Sequence, residues 1–440
     1  MSDYMFMLES HLSALQNRVL SEVQQAAAQA NVNLFLTGGA VRDMLGGYQI
    51  RDLDFTVVGN ARRLAKALAA HPGVRLVALD EHRRSAELVF PGRVTVSISM
   101  ARQEHYPKAG GAPVINPATI QDDLRCRDFT INAMALSLNR ASLGLLLDPT
   151  NGQADLEQKE LRAVHNRVLY DDPARLLRLI RFKVRYGMTV EEKTARQYEN
   201  VRLEEMEKRI PPRRLFEELA QIACEPNPGE VLQALEAEKL LNLFLPASAS
   251  ARLNLSGFGK LQKVRQLIPF GVEFAWSELP LFLFLLLEKL TPAERKAFAK
   301  ATGIHKSEMD LAIRLQKDSK KLERELRAAK ITRPSHIYKT LVKAPGEQVL
   351  YLYLTSTHRL VQDRIRNYLQ KYLPAAQEIT DRQVEAAGAQ PGTAKFKALK
   401  DTLITARLDG RQKKASPPAG DAAAPEPGQA SSPALTARGK

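Results

Sequence analysis

Cysteine is nearly absent. Two residues in 440, Cys126 and Cys224, cannot build a disulfide framework or a cysteine-rich zinc site, and they point to a reducing, cytoplasmic setting. Aromatics make up only 6% and are not interleaved with basic residues, so base stacking is not the expected main source of any single-strand affinity. Long apolar runs are missing too. The most apolar stretch, LPLFLFLLL at Leu279–Leu287, is bracketed by Glu278 and Glu288 and falls far short of the roughly 20 residues that cross a bilayer. It reads as a buried helix, and no membrane association is expected. The N-terminal MSDYMFMLESHLSALQNRVL carries early acidic residues and no unbroken apolar core, so it does not read as a secretory signal. No helix-turn-helix, zinc finger or basic zipper supports sequence-specific DNA binding.

What the chain does have is positive charge. The net charge is +15, with 44% hydrophobic and 26% charged residues, an ordinary globular balance carrying an unusual excess of cations. That excess predicts affinity for a polyanion, nucleic acid foremost. The Pro-, Ala-, Gly- and Ser-rich end from Ala406 holds six Lys and Arg against three Asp and Glu, so it supplies only +3. The body is basic in its own right. Low apolar content predicts disorder over 406–440.

Residues 8–30 have helical spacing at Leu12, Leu15, Val19 and Val23. VNLFLTGG then reads as a strand ended by glycines, and LDFTVVG as a second strand. NARRLAKALAAH opens on a good N-cap, Asn60, and VRLVAL, SAELVF and RVTVSIS read as further strands. Residues 31–150 therefore predict a mixed α/β domain. After about residue 155 apolar residues recur every three or four positions, predicting an all-helical remainder to about 405.

The stretch TGGAVRDMLGGYQIRDLDF, Thr37–Phe55, carries the chemistry. In a strand, alternate side chains share a face, so Asp52 and Asp54 point one way while Leu53 and Phe55 enter the core. Paired carboxylates repel unless a cation sits between them, and magnesium prefers carboxylate oxygens while leaving positions for substrate phosphates. Gly38 and Gly39 precede a helix expected near Ala40–Val41, where bare backbone N–H groups can approach a triphosphate. Arg42 would neutralise phosphate charge. RDFTINAMAL reads as a helix start, with Asp128 or Thr130 as cap and Ile131, Met134 and Leu136 in the core. In DDPAR, Asp172 reads as the cap before Pro173, and Asp172 and Arg175, three apart, share a helix face. Arg178 and Arg181 continue it.

LFLTGGAVRDMLGG…RDLDF closely resembles the signature of the class II tRNA nucleotidyltransferase and bacterial poly(A) polymerase family, within the polymerase-beta-like nucleotidyltransferases. DLRCRDFTINAMA, DPTNGQADLEQKELRAVH, YDDPARLLRLIRFKVRYG and PPRRLFEELAQI follow in the family's order, over roughly residues 34–222. The resemblance implies an α/β nucleotidyltransferase head over 31–150 behind an N-terminal helix over 1–30. A helical neck over 151–222, a helical body over 223–320, a helical tail over 321–405 and a disordered segment over 406–440 would follow. It implies CTP and ATP as substrates, magnesium as cofactor and the 3′ end of tRNA as acceptor, with CCA added or repaired. Asp52 and Asp54 would hold the two metal ions, Gly38, Gly39 and Arg42 would grip the triphosphate, and Arg127, Asp128 and Asn132 would lie against ribose and phosphates. Asp172 and Arg175 would read the base, supported by Arg178 and Arg181. A poly(A) polymerase is the alternative, as are CC-adding and A-adding enzymes; DLDF tilts toward the tRNA enzymes. Three departures from the pattern stand out. Cys126 replaces the first arginine of its motif. Ser97 stands where many relatives have a carboxylate, with Glu104 nearby. No histidine is followed by Asp, so no phosphohydrolase domain is expected. Glu104–Ile120 holds the loop expected to bear on nucleotide choice.

Overall fold

Ser13 breaks the N-terminal helix in two. Helix α1 (Asp3–His11) ends there and α2 (Ala14–Gln29) begins, so the single helix expected over 1–30 is a pair. Gln16 N donates to Ser13 Oγ at 3.2 Å and Ser13 N donates to Gln16 Oε1 at 2.9 Å. This reciprocal cap satisfies two N–H groups that a helix start otherwise leaves orphaned. The computed structural model describes residues 3–269 and 271–410.

Strand β1 (Asn33–Thr37) runs into α3 (Gly39–Leu45), and β2 (Leu53–Val58) into α4 (Ala61–Ala69), whose N-cap Asn60 accepts from Arg63 N at 3.0 Å. Strands β3 (Arg75–Asp80), β4 (Ser85–Val89) and β5 (Thr95–Met100) follow, then a separate ribbon of β6 (Arg102–His105) and β7 (Val114–Pro117). After α5 (Ile120–Arg125) come β8 (Ala135–Ser137) and β9 (Leu146–Leu147). The main sheet has the order β3-β4-β5-β2-β1-β8-β9. β2 pairs antiparallel with β1 and parallel with β5. Leu34, Leu36, Leu53, Phe55 and Val57 are at most 1% exposed, so one face of this sheet packs under α2 and α4. Burial of each such side chain contributes about 1.5–3 kcal/mol.

The helix start expected in RDFTINAMAL is instead a single 3-10 turn over Thr130–Asn132 leading into β8. Strand pairing wins, with Thr37 opposite Ala135 and Leu36 opposite Leu136, while Ile131, Met134 and Leu136 are fully buried as expected. Gly152 lies so close beneath this turn that a Cβ there would stand 2.1 Å from the Thr130 carbonyl.

Helices then dominate. After α6 (Gly152–Glu157) and the two-residue strand β10 (Glu160–Leu161) come α7 (Val168–Asp171) and α8 (Arg175–Tyr186). The short β11 (Thr189–Val190) pairs with β10, followed by α9 (Glu192–Leu203), α10 (Pro212–Ala223) and α11 (Pro228–Ala237). One hydrophobic core extends from Phe129 to Leu373 and includes Leu281, Phe282 and Leu283 of the helix Glu278–Leu287. Among the described residues no helix is long and apolar enough to cross a membrane. The disorder expected from Ala406 does not hold for residues 406–410, because the last described helix runs from Ala394 to Gly410. Leu408 is buried, and Asp409 accepts from Ser335 N at 3.1 Å and Ser335 Oγ at 2.8 Å. Residues 411–440 of that expected segment lie outside the described residues.

Candidate active site

Gly38 adopts φ +64°, a left-handed conformation that side chains disfavour, and its carbonyl accepts Arg42 N at 3.1 Å to start α3. A Cβ on Gly38 would stand 3.2 Å from Arg127 Nη1 and 3.9 Å from Asp54 Oδ2. One on Gly39 would stand 3.4 Å from Arg42 Nη2 and 3.7 Å from Asp54 Oδ2. The pair therefore leaves bare backbone beside a carboxylate and two guanidinium groups.

Asp52 is exposed at the entry to β2 and Asp54 is half-buried within it, while Leu53 and Phe55 are fully buried. Asp54 lies opposite Ser97 in the parallel β2–β5 register, and Ser97 Oγ donates to Asp54 Oδ1 at 2.7 Å. Burial pushes the Asp54 carboxyl upward; the Ser97 bond works against that, and the Asp52 charge adds to it. Two hard oxygen donors that repel each other fit a divalent cation. Among the described residues no group of three or more His, Cys, Asp or Glu is placed to hold a metal ion. Glu104 accepts from Arg102 Nε and Tyr106 Oη, each at 2.9 Å.

Arg42 is only 4% exposed. Its Nε donates to Asp43 at 2.9 Å, its Nη1 to Asn132 Oδ1 at 2.6 Å, and its guanidinium lies 5.0 Å from the Phe182 ring centroid and 4.8 Å from that of Tyr186. Arg127 donates to Asp123 at 2.8 Å and to Thr56 Oγ1 at 3.0 Å. Asp128 accepts from Phe129 N at 2.7 Å, Asn132 Nδ2 at 2.9 Å and Arg178 Nη1 at 2.7 Å. Burial, the largest influence, would raise its carboxyl, but Arg178 and Arg175 outweigh it and hold Asp128 well below the usual carboxylate range.

Asp172 has extended rather than helical backbone, φ −133° and ψ 95°, and ends α7 rather than capping α8, whose N-cap is Ala174. Its carbonyl accepts Arg175 N at 3.0 Å and its Oδ1 accepts Ala174 N at 3.2 Å. Its Oδ2 accepts from Arg214 Nη2 at 2.5 Å and lies 3.9 Å from Arg175 Nε. Arg175 is 6% exposed and donates through Nη1 to the Val168 carbonyl at 3.2 Å. Its buried Nε has no hydrogen-bond partner among the described residues. Arg178 also donates through Nε to Glu218 at 3.0 Å. Arg181 donates to Glu225 at 2.7 Å and is buried. Arg185 lies 3.0 Å from Asp43 and 3.5 Å from Glu225. Arg178 and Arg181 thus belong to a chain of ion pairs that joins α8 and α10 to the head. A single cleft of about 1090 Å³ is lined by every residue that the sequence nominates for metal or nucleotide.

Residues 34–162 match the family described as Poly A polymerase head domain, and residues 187–252 the family described as Probable RNA and SrmB- binding site of polymerase A. Over those two segments the chain resembles the class II CCA-adding enzyme and poly(A) polymerase family. An A-adding tRNA nucleotidyltransferase of Geobacter sulfurreducens is 26% identical over 92% of this chain and 46% of its own. An A-adding tRNA nucleotidyltransferase of Halalkalibacterium halodurans is 36% identical over 54% of this chain and 57% of its own. The chain thus spans about half the length of these curated relatives. A solved Thermotoga maritima CCA-adding enzyme, complexed with tRNA_CCA, superposes with a TM-score of 0.50 at 25% identity, covering 93% of this chain and 95% of that one.

Arg214, Tyr106 and Asp43 also line the cleft and are not among the residues nominated from the sequence. Tyr106 donates its phenol hydrogen to Glu104 at 2.9 Å. Asp43 and Arg214 lie inside the motif stretches TGGAVRDMLGG and PPRRLFEELAQI, which is the signal that could have found them; Tyr106 has none.

Proposed function

We propose that the protein is a template-independent tRNA nucleotidyltransferase that adds or repairs the 3′-terminal CCA from CTP and ATP, releasing pyrophosphate. The observation that carries this reading is the opening of one cleft onto Asp52 and Asp54, the Gly38–Gly39 backbone and the Asp172–Arg175 pair. Asp52 and Asp54 would hold magnesium, which when bound supplies activation of the RNA 3′-hydroxyl and charge stabilisation of departing pyrophosphate. Gly38 and Gly39 leave room for the triphosphate beside Arg127 and Arg42. Asp128 and Asn132, tied to each other, present a fixed polar edge to the ribose. Asp172, an acceptor, and Arg175, a forked donor, match the amino donor and ring-nitrogen acceptor of C and A and refuse the reversed pattern of U and G. The basic helical neck, body and tail (151–222, 223–320 and 321–405), behind the head over 31–150, would hold the acceptor arm through phosphate contacts, in the cytoplasm.

The names of the Geobacter and Halalkalibacterium relatives favour a second reading, in which the enzyme adds only the final A. Incubation with magnesium and tRNA transcripts that lack CCA, end in CC or end in CCA, given each nucleoside triphosphate separately and together, separates the readings. Addition of CTP and then ATP that stops at CCA supports the first. ATP addition to CC ends alone supports the second, and long A tails on any RNA would overturn both.

A further inference from the structure

Asp172 has two oxygens, and both are already held. One accepts the Ala174 N–H at the start of α8; the other accepts Arg214 Nη2 at 2.5 Å from α10, 42 residues along the chain. Arg175 does not fix this carboxylate, because its own Nη1 is committed to the Val168 carbonyl and its Nε stands 3.9 Å away. We propose that Arg214 is the positioning residue for the Asp172 carboxylate, and that nucleotide choice in this enzyme is set jointly from α8 and α10. The proposal rests on the reading of Asp172 as the base acceptor.

Two effects follow from the geometry. The first is orientation. A carboxylate held at both oxygens keeps a fixed plane, so the lone pairs left for a base amino group point one way, and Arg214 is itself ion-paired to Glu217 one helical turn on. The second is protonation state. Burial is the largest influence on Asp172 and pushes its carboxyl up, while Arg214, Arg175 and Arg178 together hold it below its ordinary value. An ionised carboxylate only accepts hydrogen bonds, whereas a protonated one can donate. Donation at this position would suit the carbonyl edges of U and G. Arg214, touching no base, thereby keeps the reader in the state that selects C and A.

The test is equilibrium binding of CTP and UTP, by calorimetry on the full chain, for wild type, Asp172→Ala, Arg214→Met and Arg214→Lys, with thermal melting to report folding separately. Arg214→Met keeps an unbranched stem and removes the charge and the fork. It is expected to lose about tenfold of the CTP-over-UTP preference, and Arg214→Lys, which keeps charge without the fork, to lose about threefold. A CTP-to-UTP ratio unchanged in Arg214→Met, with Asp172→Ala losing its preference, overturns the proposal and leaves the base-reading role of Asp172 intact. If Arg214→Met does not fold, an unchanged ratio in Arg214→Lys overturns it in the same way. A preference that survives in Asp172→Ala overturns the base-reading role and the proposal together.

Discussion

Arg178 on α8 donates to Asp128 at 2.7 Å across fifty residues of sequence, and the same guanidinium reaches Glu218 on α10. Head and neck are therefore joined at the cleft by buried charge rather than by a linker. Arg178→Ala would leave the buried Asp128 carboxylate without its ion pair, a change that typically costs about 3–5 kcal/mol. Urea denaturation of the variant should show that loss as a lower midpoint; a midpoint within error of wild type would mean the pair is dispensable.

The same contact makes an acid-stability prediction. The folded-state pKa of Asp128 is depressed below the ordinary 3.8. Its stabilising contribution is therefore complete above that value and is lost as the pH falls through it toward the folded pKa. Replacing Arg178 by Met lets burial dominate and raises the Asp128 carboxyl. The melting temperature of Arg178→Met, lower than wild type near neutral pH, should therefore fall less steeply than that of wild type as the pH drops below about 4, in a series between about pH 6 and pH 2.5. Parallel curves would contradict this.

Gly38→Ala places a Cβ in a φ +64° conformation and 3.2 Å from Arg127 Nη1. The backbone term costs about 1 kcal/mol, enough for a small drop in melting temperature. The larger effect should be on the Michaelis constant for nucleotide, because Arg127 must move away from the phosphate cradle. Equal Michaelis constants for variant and wild type would remove Gly38 from the nucleotide site.

Truncation distinguishes two ends of the described chain. A protein ending at Gly410 keeps buried Leu408 and the Asp409–Ser335 bonds; one ending at Arg407 loses both. The shorter form strands a buried Ser335 donor, at about 1–3 kcal/mol, besides losing the leucine. It should melt lower than the form ending at Gly410, and identical melting curves would place the boundary earlier.

Much of the head was legible because period-two apolar patterning and local caps act over a few residues. Asn60 and the Asp52–Leu53–Asp54–Phe55 alternation are of this kind. The break at Ser13 was legible too, in the S-x-x-Q spacing of a capping box, but the long apolar periodicity around it obscured the signal. RDFTINAMAL has local features of a helix start, and pairing of β8 with β1 across nearly a hundred residues overrides them. The sequence nominates Arg42 as a phosphate contact, and it does line the cleft, but its burial against Phe182 and Tyr186 and its bonds to Asp43 and Asn132 depend on residues distant in sequence or on packing that no local pattern shows. Arg214 and Glu218 sit inside the PPRRLFEELAQI stretch and Glu225 just beyond it, but no spacing there marks their partners. Their roles exist only once α8 and α10 pack side by side.

We propose that one cleft divides its labour, with the Asp52–Asp54 end serving the chemistry and the Asp172 end choosing the base. Single-turnover incorporation with magnesium and a tRNA transcript lacking CCA, offering each of the four nucleotides to wild type, Asp54→Ala and Asp172→Ala, tests it most directly. Asp54→Ala should lose incorporation of every nucleotide by roughly a thousandfold, the equivalent of about 4 kcal/mol of charge stabilisation. Asp172→Ala should keep incorporation while accepting UTP and GTP alongside CTP. Undiminished incorporation by Asp54→Ala, or a wild-type nucleotide preference in Asp172→Ala, would contradict the account.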